Sequence, residues 1–470
     1  MEKTFQHVHL IGIGGIQMSA VAKLLRREGI QVSGSDQAAS PLTAALEKLG
    51  IVVKIGHAAE HVPKEAQYII YSSAVPEMNP ERAEARKRNL PQVTNFAFLA
   101  EWFGGKRILL VTGTHGKSTT TAMLGLLCEE GGLDPTVVVG SKVPQFPDGN
   151  IRFGQSNLVI IEGDEYERHF LEFQPAGILI NNIEWDHTDV FPQVNDLIDA
   201  FRTLLHQMQD GGYVIANADD PRVSTLIGQE RGGLEARGVK IVTFGCASHA
   251  DVHIMDQVCR AESQQFALRD EKDFVSRYTV TVPGKMNVMN ATAALVTARS
   301  QHVSFDVARP ALAAFKGIWR RFEKVSEHQG IVVISDYAHH PTAVAATIEA
   351  ARMFYPGKRI VVCFQPHHRT RTRHLFLDFV PAFDRADLLI LTEIYDVAGR
   401  EHDQDQAISS RDLQDAIIRH DADRSSVRQV EYVPTPEEAR VLLKRVCKTG
   451  DVVLVMGAGD VYTIAPTLFS

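Results

Sequence analysis

The chain has 470 residues, 44% hydrophobic and 23% charged, with a formal net charge of −8. That is the balance of a soluble globular protein with roughly two to four domains, and its sign argues against non-specific binding to nucleic acid or to an anionic membrane, while leaving room for a local basic pocket. No run approaches the ~18 apolar residues that span a bilayer, Met1–Val8 is mixed and polar rather than a cleavable leader, and the five scattered cysteines form no CxxC pair, the pattern of reduced thiols in a cytoplasmic protein.

The first predicted strand, Val8–Ile13, runs into Gly12-x-Gly14-Gly15 and an apolar helical run, Met18–Leu25. A second strand, Gln31–Ser35, delivers Asp36. The order matches the first βαβ unit of a nucleotide-binding sheet, with a carboxylate placed to accept a hydrogen bond from a ribose hydroxyl. An NAD site is one interpretation, although no residue set for hydride transfer accompanies the glycines. The strand Tyr68–Tyr71 ends in Ser72-Ser73-Ala74-Val75, small residues suited either to a ligand at a sheet's carboxyl edge or to an ordinary loop.

Gly104-Gly105-Lys106 is a plausible linker into a second block. There the strand Arg107–Val111 meets Thr112–Thr121 (TGTHGKSTTT) and a helical run, Ala122–Cys128. Strand, glycine turn and helix start in that order make a phosphate loop, in which backbone N–H groups and the helix N-terminus face an anion. The loop comprises Gly113, Thr114, His115, Gly116, Lys117, Ser118 and Thr119, two residues shorter between its glycines than the general GxxxxGK[ST] form. Lys117 is placed to reach the outer phosphates of ATP, and the Ser118 hydroxyl to hold magnesium. The strand Leu158–Ile161 then delivers Glu162-Gly163-Asp164-Glu165, and Gly177–Ile180 delivers Asn181 through His187, which is how a sheet edge assembles a magnesium site. The stretch 228–276 suggests loops and antiparallel strands.

A third block opens near Phe322–Gln329. Its strand Val332–Ser335 runs into Asp336-Tyr337-Ala338-His339-His340-Pro341, with Thr342 a candidate cap for the helix Ala343–Ala351. Arg359–Phe364 feeds Gln365-Pro366-His367-His368-Arg369-Thr370-Arg371, and the strands Leu388–Leu391 and Val452–Val455 continue the alternation. Ala398–Ser410 suggests a solvated loop. Repeated βα alternation implies an α/β protein of parallel sheets covered by helices.

Taken together the motifs resemble the Mur ligases of peptidoglycan synthesis. The resemblance rests on His9–Leu25, Val32–Asp36, Ser72–Val75, Thr112–Thr121, Glu162–Leu171, Asn181–His187, Pro283–Leu295, Arg320–Glu323, Asp336–Thr342 and Phe364–Arg373, in the family's order. It implies three α/β domains: a Rossmann-like UDP-sugar domain over 1–104, a central P-loop ATPase domain with a mixed or parallel sheet over 105–322, and a Rossmann-like C-terminal domain over 323–470. Within the family it is nearest the branch that uses ATP and Mg2+ to join L-alanine to UDP-N-acetylmuramate. It places Gly14, Gly15, Asp36, Ser72 and Ser73 near the uridine diphosphate, which also answers the NAD question: the glycine turn meets a pyrophosphate, but that of a UDP-sugar. Glu162 and His187 match its metal ligands, Asn287 and Asn290 its adenine-side asparagines, and Arg321 and Asp336 residues that close over nucleotide and acyl group. Tyr337, His339 and Arg371 fall to the acyl and acceptor substrates, with Lys117, Glu162, His187 and His339 as the catalytic set. The expected state is a cytoplasmic monomer or weak homo-oligomer.

The sequence departs from that pattern at three places. The family commonly shows FQPHR and then an aromatic, where this chain has His368 and Arg369, so either Arg369 swings in or Arg371 makes the substrate contact alone. Ala338 stands where glycine is usual, which matters only if that position needs positive φ. The stretch 199–205 offers Arg202 where sister ligases carry a carbamoylated lysine. The alternatives are a recycling ligase that adds a preformed tripeptide, a non-catalytic UDP-sugar sensor, and a polyglutamate-type ligase, which lacks the N-terminal block. Gly104-Gly105 and Gly317–Arg321 are candidate hinges.

Overall fold

The computed structural model describes residues 5–260, 263–270, 274–396, 408–424 and 428–469. Three sheets follow one another along the chain. The first is all parallel, in the spatial order Val52–Ile55, Gln31–Asp36, His7–Ile11, Tyr68–Tyr71 and Gln92–Thr94. His7–Ile11 is buried along its whole length and pairs with a strand on either side, so the chain reverses direction across the sheet at its carboxyl end. A crevice opens at such a reversal, and here it receives Gly12–Gly15 from one strand and Ser72-Ser73 from the next. Gly12 has φ +81, which a side chain would strain.

The middle sheet has ten strands. Its parallel centre runs Lys240–Gly245, Tyr213–Asn217, Gly177–Ile180, Arg107–Thr112, Leu158–Glu162 and Thr136–Val138. Beyond Lys240–Gly245 lie Val252–Arg260, Ser263–Arg269 and Val275–Val280, the last two joined antiparallel, and at the other edge Ile151–Arg152 lies antiparallel to Thr136–Val138. The third sheet orders Glu323–His328, Ile331–Asp336, Val452–Met456, Ile360–Phe364, Leu388–Leu391 and Gln429–Tyr432, with only its first pair antiparallel. Both faces of the middle and third sheets are packed with apolar side chains, as strands that are apolar throughout require. One apolar cluster continues from the first sheet into the middle one. There Lys23 Nζ also donates to Asp148 O and Asn150 Oδ1, both at 2.6 Å.

Tyr68–Tyr71, Gly177–Ile180 and Leu388–Leu391 keep their predicted bounds. The helix after the phosphate loop starts at Lys117 rather than Ala122, because Gly116 ends the loop at φ +82 and the following hydroxyls turn inward; Thr121 Oγ1 donates to Lys117 O at 2.8 Å, which lets threonine sit inside a helix. The front of the stretch 228–276 is helix, not loop: Pro221–Ala236 is capped by Asp220, and Gly228, Gly232 and Gly233 face open space. Thr342 is not a cap. His340 holds that position, with Pro341 opening the helix Pro341–Phe354. Of the expected loop Ala398–Ser410, residues 398–407 lie outside the described residues.

A polar network lies beneath the first sheet's crevice. Glu81, with no solvent exposure, accepts from His9 Nε2 at 2.7 Å, Ser35 Oγ at 2.8 Å and His57 Nδ1 at 2.8 Å. Burial pushes its carboxyl up, but those three hydrogen bonds outweigh burial and hold it below its usual value of 4.5. Its contribution is therefore complete above that value and is lost as pH falls through the lower folded-state one. Glu81→Gln is expected to destabilise the protein by about 3–5 kcal/mol at neutral pH. In thermal melts the gap between the variant and the parent should narrow as the buffer is taken below pH 4.5.

Candidate active site at the meeting of three sheets

The carboxyl ends of all three sheets face one cavity of about 760 Å³. From the first sheet come Gly15, Ser72 and Ser73. The middle sheet supplies Thr114, Gly116, Lys117, Ser118, Glu162, Asp164, Glu165, Asp186 and His187. The third supplies Tyr337, His339, His367, His368 and Arg371, with Arg321 from the crossing segment.

The loop is held from outside. His115 N donates to Asn182 Oδ1 at 2.7 Å, and the Thr114 hydroxyl exchanges hydrogen bonds with the Glu184 backbone, 2.9 Å each way. A Cβ on Gly116 would come within 2.2 Å of Asn290 Oδ1. Asn290 in turn accepts from Thr120 Oγ1 at 3.2 Å and donates to Asn287 Oδ1 at 3.1 Å. Both asparagines are buried and back the loop rather than line the cavity. They are neither a helix cap nor a surface pair. Gly113 and Thr119 are likewise set behind the cavity wall.

Lys117 Nζ donates to Gly113 O at 2.8 Å and to Glu165 Oε2 at 2.6 Å. Burial works against its charge, but Glu165 and Asp164 outweigh burial and raise its pKa. Glu165 is the reciprocal case: burial opposes ionisation, and Lys117 and His187 overcome it and lower its pKa. Ser118 Oγ donates to Glu162 Oε1 at 2.8 Å and Gly140 N to its Oε2 at 2.6 Å. Burial still prevails there and the Glu162 carboxyl is raised. His187, at φ +52, stands 3.5 Å from Glu165 Oε1 and groups with Asp164 and Glu165, while Glu162 stays with Ser118.

Asp186 ties this wall to the third sheet. It accepts from Arg371 Nε at 2.7 Å and stands 3.8 Å from His339 Nε2. Burial would neutralise it, but Arg371 first and then His187 hold it well below the carboxylate range. His339 donates from Nδ1 to Tyr337 O at 2.9 Å. Burial and the Arg371 guanidinium bring its pKa to about 4, so the ring is neutral at pH 7. The same two causes lower His367.

The departures are settled by position. Arg369 turns out of the cavity to Asp396, at 2.7 Å, and to the Ile408 carbonyl, leaving Arg371 and His368 on the wall. Ala338 is not among the residues with positive φ, so its methyl costs nothing. Arg202 pairs with Glu230 at 2.9 Å, away from the cavity. Asp36 and Gly14 also lie off the cavity: the carboxylate accepts from Gly14 N at 2.8 Å and so braces the glycine turn. Asp336 braces the crossing segment, accepting from Phe322 N and Ala338 N at 2.7 Å each.

Sequence reasoning placed Glu165, Asp186 and Glu184 only within the strand-end clusters of a magnesium site, and named no partner for any of them. Carboxylates clustered at strand ends were the available signal. Their partners lie far away in the chain, and nothing local names them.

A phosphate loop with carboxylates and an imidazole at neighbouring strand ends, faced by two further α/β units, defines a P-loop nucleotide-dependent enzyme of three sheets. Three family descriptions match in order: Mur ligase family, catalytic domain, over residues 7–107; Mur ligase middle domain over 111–298; and Mur ligase, glutamate ligase domain, over 320–459. The chain belongs to the Mur ligase family. It is 38% identical to the UDP-N-acetylmuramate–L-alanine ligase of Salinibacter ruber, over 97% of this chain and 93% of that one, and 36% identical to that of Solibacter usitatus with the same coverage. Among solved structures, the UDP-N-acetylmuramate–alanine ligase of Thermotoga maritima superposes with a TM-score of 0.82 at 27% identity, covering 98% of each chain. The murein peptide ligase of Psychrobacter arcticus gives 0.72 at 22% identity with the same coverage, a likeness of fold.

Gly116→Ala is expected to weaken binding of Mg-ADP at least about tenfold, since the residue must hold positive φ with no room for a Cβ. Calorimetric titration, with the far-ultraviolet spectrum as a check on folding, measures this; unchanged affinity would remove the loop from the nucleotide site.

Proposed function

We propose that this protein uses ATP to join L-alanine to the lactyl carboxylate of UDP-N-acetylmuramate, releasing ADP and phosphate. The observation that carries the proposal is the single cavity on which the phosphate loop, the serines of the first sheet's crevice, and the Asp186–Arg371–His339 group converge. The relatives at 38% and 36% identity bear that activity's name, whereas the likeness to a peptide-adding ligase is one of fold. In this reading the divisions are 1–104 for the UDP-sugar, 105–322 for ATP and 323–470 for the acceptor.

A carboxylate and an amine do not condense in water without activation. The γ-phosphoryl group passes to the lactyl carboxylate as its bond to ADP breaks, and the resulting acyl phosphate is attacked by the alanine amine. A tetrahedral intermediate then expels phosphate. No side chain forms a covalent bond. The protein's task is to bring two anions together, and holding them in line contributes ~7–11 kcal/mol at most. Lys117 and the loop's N–H groups face the phosphates, where charge spreads as the phosphoryl group moves. Arg321 and Arg371 add fixed positive charge on the facing wall. His339, neutral and with Nδ1–H committed to the Tyr337 carbonyl, presents an unprotonated Nε2 as acceptor for the amine's N–H.

Ser118, Glu162 and His187, with Asp164 and Glu165 beside them, would hold magnesium. Hard oxygens beside one imidazole suit it, and among the described residues Glu165 Oε1 is buried with no hydrogen-bond partner. Bound there, the ion supplies neutralisation of the phosphate oxygens.

ADP release, measured with purified protein, magnesium and UDP-N-acetylmuramate, should be fastest with L-alanine when L-serine, glycine and the L-Ala–γ-D-Glu–diaminopimelate tripeptide are compared. Turnover with the tripeptide alone would replace this reading by the recycling one. His339→Ala is expected to lower kcat by about a hundredfold or more and leave the Kd for UDP-N-acetylmuramate unchanged. Equal losses in both would take His339 out of the acceptor site.

A further inference from the structure

Glu184 lies just outside the cavity and belongs to none of the groups used above. Its carboxylate divides between two sheets. Oε2 accepts from His115 Nε2 of the phosphate loop at 2.9 Å, and Oε1 accepts from the Thr342 hydroxyl of the third sheet's first helix at 2.5 Å. His340 completes the junction: its Nδ1 stands 3.8 Å from Glu184 Oε2, its Nε2 meets Trp185 O at 3.4 Å, and its ring packs 5.0 Å from that of His115.

We propose that Glu184 is a positioning residue, a clasp that transmits seating of the third domain to the shape of the phosphate loop. Thr114 and His115 stand between Gly113 at φ +124 and Gly116 at φ +82, so the loop's own backbone gives these two residues little stiffness. Asn182 holds their backbone N–H groups, and Glu184 adds its backbone to Thr114 and its side chain to His115. The other carboxylate oxygen is bonded three residues beyond His339, in a helix that begins as the cavity-lining segment 337–339 ends. Thr342 and His340 therefore move with the acceptor wall, and the charge of Glu184 faces the N-terminus of a fourteen-residue helix, which favours an anion. When the third domain is seated, one carboxylate fixes both loop and helix. When it is not, the carboxylate that holds His115 loses the partner that orients it. Burial opposes ionisation of Glu184, but the His115 hydrogen bond, His340 and Thr342 bring its pKa to about 2, so it is an anion at any pH at which the enzyme works.

This inference rests on the ligase reading for its kinetic arm only. Thr342→Val and Glu184→Gln should each lower kcat about tenfold, with the Kd for UDP-N-acetylmuramate, measured without nucleotide, unchanged, and Thr342→Ser should restore the rate. His115→Asn combined with Thr342→Val should cost no more than the worse single change, since both act through one carboxylate; additive losses overturn the clasp. The second arm needs no turnover. Hydrogen–deuterium exchange over residues 112–120 in the presence of Mg-ADP should be faster in Thr342→Val, although Thr342 does not bond to the loop, and normal in Thr342→Ser. Unchanged exchange in Thr342→Val overturns the proposal whatever acceptor the enzyme uses. His115, Glu184 and His340 could also hold a metal ion. Stoichiometric Zn2+ binding to chelator-treated protein that Glu184→Gln abolishes would make the group a metal site and overturn the clasp as well.

Discussion

Lys117 and Glu165 meet at 2.6 Å in the wall of the cavity, and the arrangement of the site follows from that contact. An ammonium and a carboxylate so deeply placed each give up several kcal/mol of hydration, and only a close partner offsets the loss. With Lys117 charged, Glu162 and Asp164 can stand nearby. With Glu165 ionised, His187 is drawn towards it and gains a proton more readily than burial alone allows: burial lowers its pKa, and Asp186 and Glu165 reverse the sign. The bonds of Lys117 are to two loop carbonyls and one carboxylate. The carboxylates of the site are thus arranged around one buried lysine.

The segment from Asn181 to His187 connects that centre to everything else. Asn181 and Asn182 face the loop and bind its backbone. Glu184 binds the loop with one carboxylate oxygen and the third domain with the other. Asp186 turns to Arg371, and His187 turns back to Glu165. Seven consecutive residues at one strand end thereby serve two domains in turn. The strand Gly177–Ile180 lies in the middle of the parallel sheet, beside the strand that carries the phosphate loop, so its carboxyl end opens where the domains meet. Left-handed φ at His187 belongs to the same arrangement, since it brings the imidazole back towards Asp164 and Glu165 while Asp186 turns to Arg371.

The third domain is attached with equal care to its crossing segment. Gly317, Arg320 and Phe322 all have positive φ, and Asp336 accepts from Phe322 N of that turn with one oxygen and from Ala338 N of its own loop with the other. Arg320 is buried among Trp319, Tyr337 and Tyr462 and donates to the Gly457 and Gly459 carbonyls. A guanidinium enclosed by rings and carbonyls fixes the angle at which Tyr337 and His339 enter the cavity.

Local pattern was enough for much of this. The strands, the glycine turns, the phosphate loop with Lys117 and Ser118, and the acidic strand ends were legible because each depends on residues within a few positions of one another: apolar runs, glycines, and the order strand–turn–helix. The helix Pro221–Ala236 was not, because three glycines on an exposed face resemble a loop until its buried face and its Asp220 cap are seen in place. Which of Arg369 and Arg371 lines the cavity could not be told from the sequence, since the distinction lies in Asp396 drawing one away and Asp186 holding the other. That Asp36 braces the Gly14 turn, and that Asn290 stands against Gly116 with Asn287 behind it, was not legible either, because Asp36 and Gly14, like Asn290 and Gly116, lie far apart in the chain. In the end the sequence by itself determined the class of fold and the chemical inventory of the site, because hydrophobic period and turn chemistry act over short distances along the chain. Which carboxylate meets which cation, and which protons the histidines keep, only the tertiary structure decided, because burial and Coulomb interaction depend on distances in space between residues that lie as many as 185 positions apart in the chain.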